Sequence, residues 1–334
     1  MLPPPNSLDR RHKYGFRRSN PSWFSSANLL ARSRATNLAV SVLAVVATLS
    51  FLLNVQLYYF PPTNAHSILS LPLLASLPRL QDSLDHLVVV PGHAIWVGID
   101  PAQRMQPSEW AFQSFQTDQD TSRLEVFFQH ISRAADIGLQ DEKSLVVFSG
   151  GQTQHSSTTS EGESYLRLAL ASKVFGHDEF SRATSENYAL DSFQNLVFSI
   201  ARFHEVTGHY PSKITVVGYE MKRARFLDIH RTAIRWQDPF TYIGVDIPGD
   251  NSLARQGERE NGYLPYAADL YGCHSFLSNK RKQRNYAARY PPYYLSNPRL
   301  ASFLSWCPYE PTSIFPESLP WSTGLKTHIE QEKY

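Results

Sequence analysis

Three places along this sequence gather residue types that can do chemistry on an anion. Ser149-Gly150-Gly151 closes an apolar run, and the Gly pair leaves the backbone free to aim N–H groups at a phosphate or carboxylate. The acids Glu161, Glu163, Glu179 and Glu186 fall on two neighbouring connections. Carboxylates clustered in this way can act as general base or hold a divalent cation beside a phosphate. Lys222, Arg223 and Arg225 follow another apolar run, where Arg223 or Arg225 can fork onto phosphate oxygens. Each group has a plainer alternative: a tight turn, helix-start acids, and surface charge, because three basic residues on one turn cannot all face one way. His93, after the first apolar run, is a further acid-base candidate, although a lone His is more often structural. A full GxGxxG, a Walker Lys-Ser/Thr and Gly-x-Ser-x-Gly are all absent, which argues against a dinucleotide dehydrogenase, a P-loop enzyme and a serine hydrolase.

The elements that must position these groups alternate. Residues 86–91 (HLVVVP), 144–149 and 213–218 (KITVVG) are continuous apolar runs of the kind buried on both faces of a parallel sheet; 240–247 is a last strand, and 178–180 a short third one. Helical periodicity links them over about 122–137, 162–174 and 219–236. The most informative stretch is 181–203, in which Ala189, Leu190, Phe193, Leu196, Val197, Ile200 and Phe203 form one apolar face. Thr184 or Ser185 is its expected cap, with Glu186 in the first turn and Arg182 just outside. Repeated β-α units of this length give an α/β domain over 86–248, a doubly wound parallel sheet with ligand groups at the carboxyl ends of its strands.

The first eighty residues are different material. Residues 1–37 are basic, with Arg10, Arg11, Lys13, Arg17, Arg18, Arg32 and Arg34 against Asp9, and too poor in apolar surface to fold alone. Residues 38–60 carry no charge and end in Tyr58, Tyr59 and Phe60, the length and flank of a transmembrane helix. Basic residues before it place the N-terminus in the cytosol: a type II single-pass protein, with the endomembrane system (ER or Golgi) favoured. A mitochondrial presequence with an inner-membrane anchor, a cleaved signal peptide and a buried core helix are the competing readings. Residues 61–85, with Pro61, Pro62, Pro72 and Pro78, read as a stalk. Beyond 249 the pattern weakens into an irregular extension packed on the domain, whose basic run Lys280, Arg281, Lys282 and Arg284 reads as a solvated face.

Composition narrows the field further. A net charge of +2 over 334 residues argues against nucleic acid as partner. Cys273 and Cys307 are the only cysteines; they can pair in an oxidising compartment, but two in a chain this size are more often unpaired. No CxxC or His-rich spacing suggests a structural zinc.

VVVPG at 88–92, VVFSGG at 146–151, SEGESY at 160–165, SRATSENYALDS at 181–192 and VVGYEMKRARF at 216–226 together resemble the successive motifs of the SanA/YdcF/ElyC-like family, the domain of unknown function 218. The most specific piece is Ser-x-x-Thr-x-Glu-Asn, here Ser181, Thr184, Glu186 and Asn187. The resemblance implies a Rossmann-like α/β/α sandwich with a pocket lined by Gly92, Ser149, Gly150, Gly151, Glu161, Ser181, Thr184, Glu186, Asn187 and Arg223. Where bacterial relatives carry Tyr/Ser-His after the fourth strand this chain has Tyr219-Glu220, so a His proton donor is replaced by a carboxylate.

Two readings follow. In the first, a membrane-anchored enzyme acts on a phosphate- or nucleotide-bearing ligand, an anionic small molecule or a lipid-linked glycan. The Ser149–Gly151 turn and the helix start at Thr184 receive the anion, Arg182 and Arg223 neutralise it, Glu220 lies alongside, and Glu161, Glu186 and Asn187 do the chemistry. Glu186→Gln then abolishes turnover and leaves folding intact. In the second, a non-catalytic module senses an adenosyl or nucleotide ligand such as S-adenosylmethionine. Oligomeric state is open on either reading.

Overall fold

The computed structural model describes residues 32–59, 83–113, 121–177, 179–249 and 251–322. The basic leader before residue 32 and the stalk before residue 83 lie outside them. Two units are distinct, 1–67 and 68–334. The first contains helix α1, Arg32–Tyr59. Within it Asn37–Gln56 is long and apolar enough to cross a membrane, and none of that stretch is buried, unlike a soluble core helix.

The second unit is built on five parallel strands in the order β5-β4-β1-β6-β7. They are β1 (His86–Pro91), β4 (Ser144–Ser149), β5 (Ala183–Glu186), β6 (Lys213–Tyr219) and β7 (Phe240–Val245). A two-stranded ribbon, β2 (Ile95–Trp96) against β3 (Trp110–Ala111), stands apart; periodicity over two residues could not reveal it. Every residue of β1 and β4 is buried because helices cover both faces, which is why those runs read as unbroken apolar sequence. Val88, Val90, Val146, Phe148 and Val217 point toward α2 (Thr121–Gln140) and α3 (Glu161–Ala171). Leu87, Val89, Leu145, Val147, Ile214 and Val216 point toward α4 (Ser192–Thr207). This is the Rossmann-like three-layer arrangement expected from the sequence.

Two local expectations are corrected. The third strand is not 178–180 but Ala183–Glu186, paired with Val146–Ser149. Thr184, Ser185 and Glu186 therefore lie in an edge strand, and α4 starts at Ser192, capped by Asp191, whose side chain accepts from the Gln194 N–H. Thr184 caps nothing; its hydroxyl accepts from Arg202 of α4.

The C-terminal region adds side chains to the core. α5 (Ser252–Glu258), α6 (Leu264–Ala268) and α7 (Ser275–Arg284) carry Tyr266 and Leu277 into the α4-side core, joined by Tyr271, Tyr293, Phe303, Phe315 and Trp321. Cys273 and Cys307, read as more often unpaired, form a disulfide that ties this region to itself.

Candidate functional site

The strand order reverses between β1 and β6, since the chain runs outward β1-β4-β5, then crosses back through α4 to β6 and β7. The ends of β1 and β6 splay apart there, leaving a crevice at the carboxyl edge. A cavity of about 500 Å³ occupies that place, within the range of small-molecule sites. Gly92 and His93 after β1, Tyr219, Lys222 and Arg225 after β6, Asp191 and Asn195 of α4, and Glu161 of α3 line it. The C-terminal region supplies the outer wall through Glu258, Leu277, Lys280 and Arg284.

Glu161 is the first residue of α3, after the N-cap Ser160. It is 4% exposed and accepts from the Thr153 hydroxyl at 2.5 Å and the Gln113 amide at 3.2 Å. Burial pushes its carboxyl up, opposed by those bonds and by the charges of Arg284 and Lys222. The glycines explain themselves against it: a Cβ on Gly92 would lie 2.5 Å, and one on Gly150 2.7 Å, from the Glu161 Cβ. Their amides are not waiting for an anion. Gly92 N–H donates to Ser149 O, Gly150 N–H to Glu186 O and Gly151 N–H to Ala189 O. The expected phosphate-binding turn is thus a packing device.

Cations receive the cavity instead. Lys222 sits 3.4 Å from His93 Nδ1 and 5.6 Å from the Tyr219 ring centroid; burial, then Arg225, bring its ammonium down to about 7. Arg225 pairs with Glu258 at 3.1 Å, and each residue adjoins a π-helical turn, Arg225–His230 or Arg259–Tyr263. Such bulges often mark functional positions because they re-aim side chains that a regular helix would turn away. Arg284 donates to Leu190 O and Gln113 Oε1. Lys280 lies at the wall, lowered to about 8 by burial and Arg284. Arg281 pairs with Asp191 and donates to Tyr271 O. Of the basic run read as a solvated face, Lys280, Arg281 and Arg284 are therefore turned inward and Lys282 is exposed. Leu277, Lys280, Arg281 and Arg284 share one helical face by their spacing, a signal that was present in the sequence.

The other named residues divide by place. Ser149 and Glu186 are fully buried beneath the cavity. Glu186 accepts from Ser149 Oγ at 2.6 Å, from the N–H groups of Tyr188 and Ala189, and from the Tyr293 hydroxyl. It holds residues 186–190 in shape and does not line the cavity. Asn187 accepts from Ser160 Oγ, tying that loop to the start of α3. Arg182 reaches the carbonyls of Asp141 and Ser144, at the amino end of β4 and hence the opposite rim; Ser181 is its neighbour in the chain. Arg223 and Glu220 pair with each other at 2.5 Å beside β7, where Arg223 also donates to Tyr242 O; neither lines the cavity. Ser192 and His230 Nε2 lie 2.8 Å apart at the cavity wall. Burial and Arg225 hold the His230 ring well below its ordinary pKa, so it is a poor proton acceptor and the contact orients Ser192.

Glu186 yields a pH-dependent expectation. Burial raises its folded-state pKa to about 7 from 4.5, so the folded state keeps its proton longer and loses stability as pH rises across that window. Glu186→Gln, neutral at every pH and carrying a donor as the protonated acid does, removes that loss. Thermal melts of the two proteins should lie closest near pH 5 and separate toward pH 8, with wild type falling relative to the variant; a difference that does not change with pH refutes the assignment.

No family model and no solved structure matches the chain. The chain is 30% identical over 266 residues to the uncharacterized protein YOR238W of Saccharomyces cerevisiae, a match covering 64% of this chain and 87% of the yeast protein.

Proposed function

The chain belongs to the same family as that yeast protein, and from this premise we propose that it binds a phosphate-bearing anion in the cavity at the β1–β6 reversal. The observation that carries the reading is the convergence of Lys222, Arg225, Lys280 and Arg284 on one cavity from two separate parts of the chain. The position at a topological switch point supports it, and of the pocket residues implied by the SanA/YdcF/ElyC-like resemblance Gly92 and Glu161 line this cavity. A nucleotide, an adenosyl compound or a lipid-linked phosphate all fall within this class.

A second reading, that the ligand is transformed, is favoured by Glu161 and Lys222 facing the same cavity with their pKa values displaced toward each other. Two such groups can exchange a proton with a substrate near neutral pH. The full chain, incubated with a metabolite mixture, should retain an anionic species. Arg284→Ala should abolish retention, whereas Glu161→Gln should retain the ligand and lose any conversion. Retention unchanged in Arg284→Ala would discard the site.

The disulfide supports placing the α/β unit in an oxidising compartment. With a cytosolic basic leader, this is the type II arrangement of an endomembrane protein rather than a mitochondrial one. Protection of residues 83–322 from protease added to sealed microsomes tests it; digestion would refute it.

A further inference from the structure

The cations in the cavity are not balanced one for one. Arg225 is matched by Glu258, with side chains only 9% and 10% exposed, and Asp191 by Arg281. Among the described residues, and even without Arg123, this leaves Lys222, Lys280 and Arg284 facing the carboxyl of Glu161. The partners of Arg284 are a carbonyl and an amide oxygen, and those of Lys222 a neutral imidazole and a phenol ring. None cancels a charge. Lys280 and Arg284 stand one helical turn apart on α7, while Lys222 approaches from the turn after β6. Like charges gathered in a partly desolvated cavity repel, a cost that the surrounding packing offsets. Burial first, and the neighbouring guanidinium charges second, depress the ammonium groups of both lysines. Three cations against one acid leave about two positive charges to be met, in a volume of about 500 Å³, far larger than one phosphate needs.

Resting on the anion reading above, we propose that the site is built for a guest carrying two adjacent phosphoryl groups, a diphosphate ester, with Lys222, Lys280 and Arg284 as its ligands. The proposal has a signature that a merely structural lysine would not give. Removing one charge should stabilise the unliganded protein while weakening the response to ligand, the trade expected of a strained functional site.

The test is thermal unfolding of the full chain in detergent at matched ionic strength, for wild type, Lys222→Met and Lys280→Gln, with chloride, orthophosphate or pyrophosphate. Without added phosphate, both variants should melt about 2–4 °C above wild type. Pyrophosphate should raise the wild-type Tm more than equimolar orthophosphate, and at least half of that rise should vanish in each variant. A nucleoside diphosphate and a prenyl diphosphate run in parallel distinguish a soluble from a lipid source by which one adds to the pyrophosphate effect. Variants melting below wild type, or orthophosphate matching pyrophosphate, overturn the proposal. No shift with any anion overturns the anion reading itself.

Discussion

Asp191→Ala should destabilise the protein by about 4 kcal/mol, the largest effect expected of any single change at the site. Two losses combine. The Asp191 carboxylate caps α4 through the Gln194 N–H, worth about 1 kcal/mol. It also neutralises Arg281, whose side chain is 18% exposed and fixed to Tyr271 O, and a buried ion left without its partner costs about 3–5 kcal/mol. Burial pushes the Asp191 carboxyl up, but the Arg281 charge and hydrogen bonds outweigh it and hold the pKa below 3.8. The stabilisation is therefore present above pH 3.8 and lost as pH falls through the lower folded-state value. A Tm drop of about 10 °C in a neutral-pH melt is expected. Asp191→Asn, which keeps a cap and loses the charge, should fall between. A drop under about 2 °C for Asp191→Ala would mean that α7 is not anchored to α4 through this pair.

Gly162→Ala is expected to be nearly as damaging, for a steric reason. A Cβ there would lie 2.4 Å from Glu186 O and 2.5 Å from Phe148 O, both backbone atoms of strand ends. Neither can swing aside as a side chain tip would, so α3 must lift from β4 and β5, at a cost of about 3 kcal/mol. The lift displaces Glu161, the preceding residue, so anion binding should fall with stability. Gly257→Ala on α5, whose added methyl meets nothing within 4 Å, is the control and should gain about 0.5–1 kcal/mol of stability from helix propensity. Equal denaturation midpoints for Gly162→Ala and wild type would contradict the close approach.

How much of this could be read in the sequence depended on whether the cause was local. β1, β4 and β6 were legible because burial on both faces forces unbroken apolar runs. β5 was not: Ala-Thr-Ser-Glu is a half-buried edge strand whose residues also make good helix caps, so cap chemistry was read where pairing with β4 decides the structure. Gly92 was found through the strand-end rule, and Glu161 as one of the acids on neighbouring connections. Glu186 was placed at a helix start, whereas the structure buries it under Tyr293, over a hundred residues away. Lys280 and Arg284 were missed as site residues because a charge run is ordinarily solvated, and nothing nearby in sequence shows that Asp191 and the cavity lie opposite. Arg223 and Lys222 were adjacent candidates; the turn after β6 sends Arg223 outward to Glu220 and Lys222 inward.

The central claim, that side chains after β6 and on α7 together hold an anion over the β1–β6 reversal, is tested most directly by locating one. Tungstate, a heavy phosphate mimic, can be soaked into crystals of the full chain and found by its anomalous scattering. The account predicts a peak about 3–4 Å from the Lys222 ammonium and the Arg284 guanidinium, ion-pairing distance, and its loss in Arg284→Ala. A peak at the Gly150–Gly151 amides or beside Arg182 on the opposite rim, with the cavity empty, would contradict it.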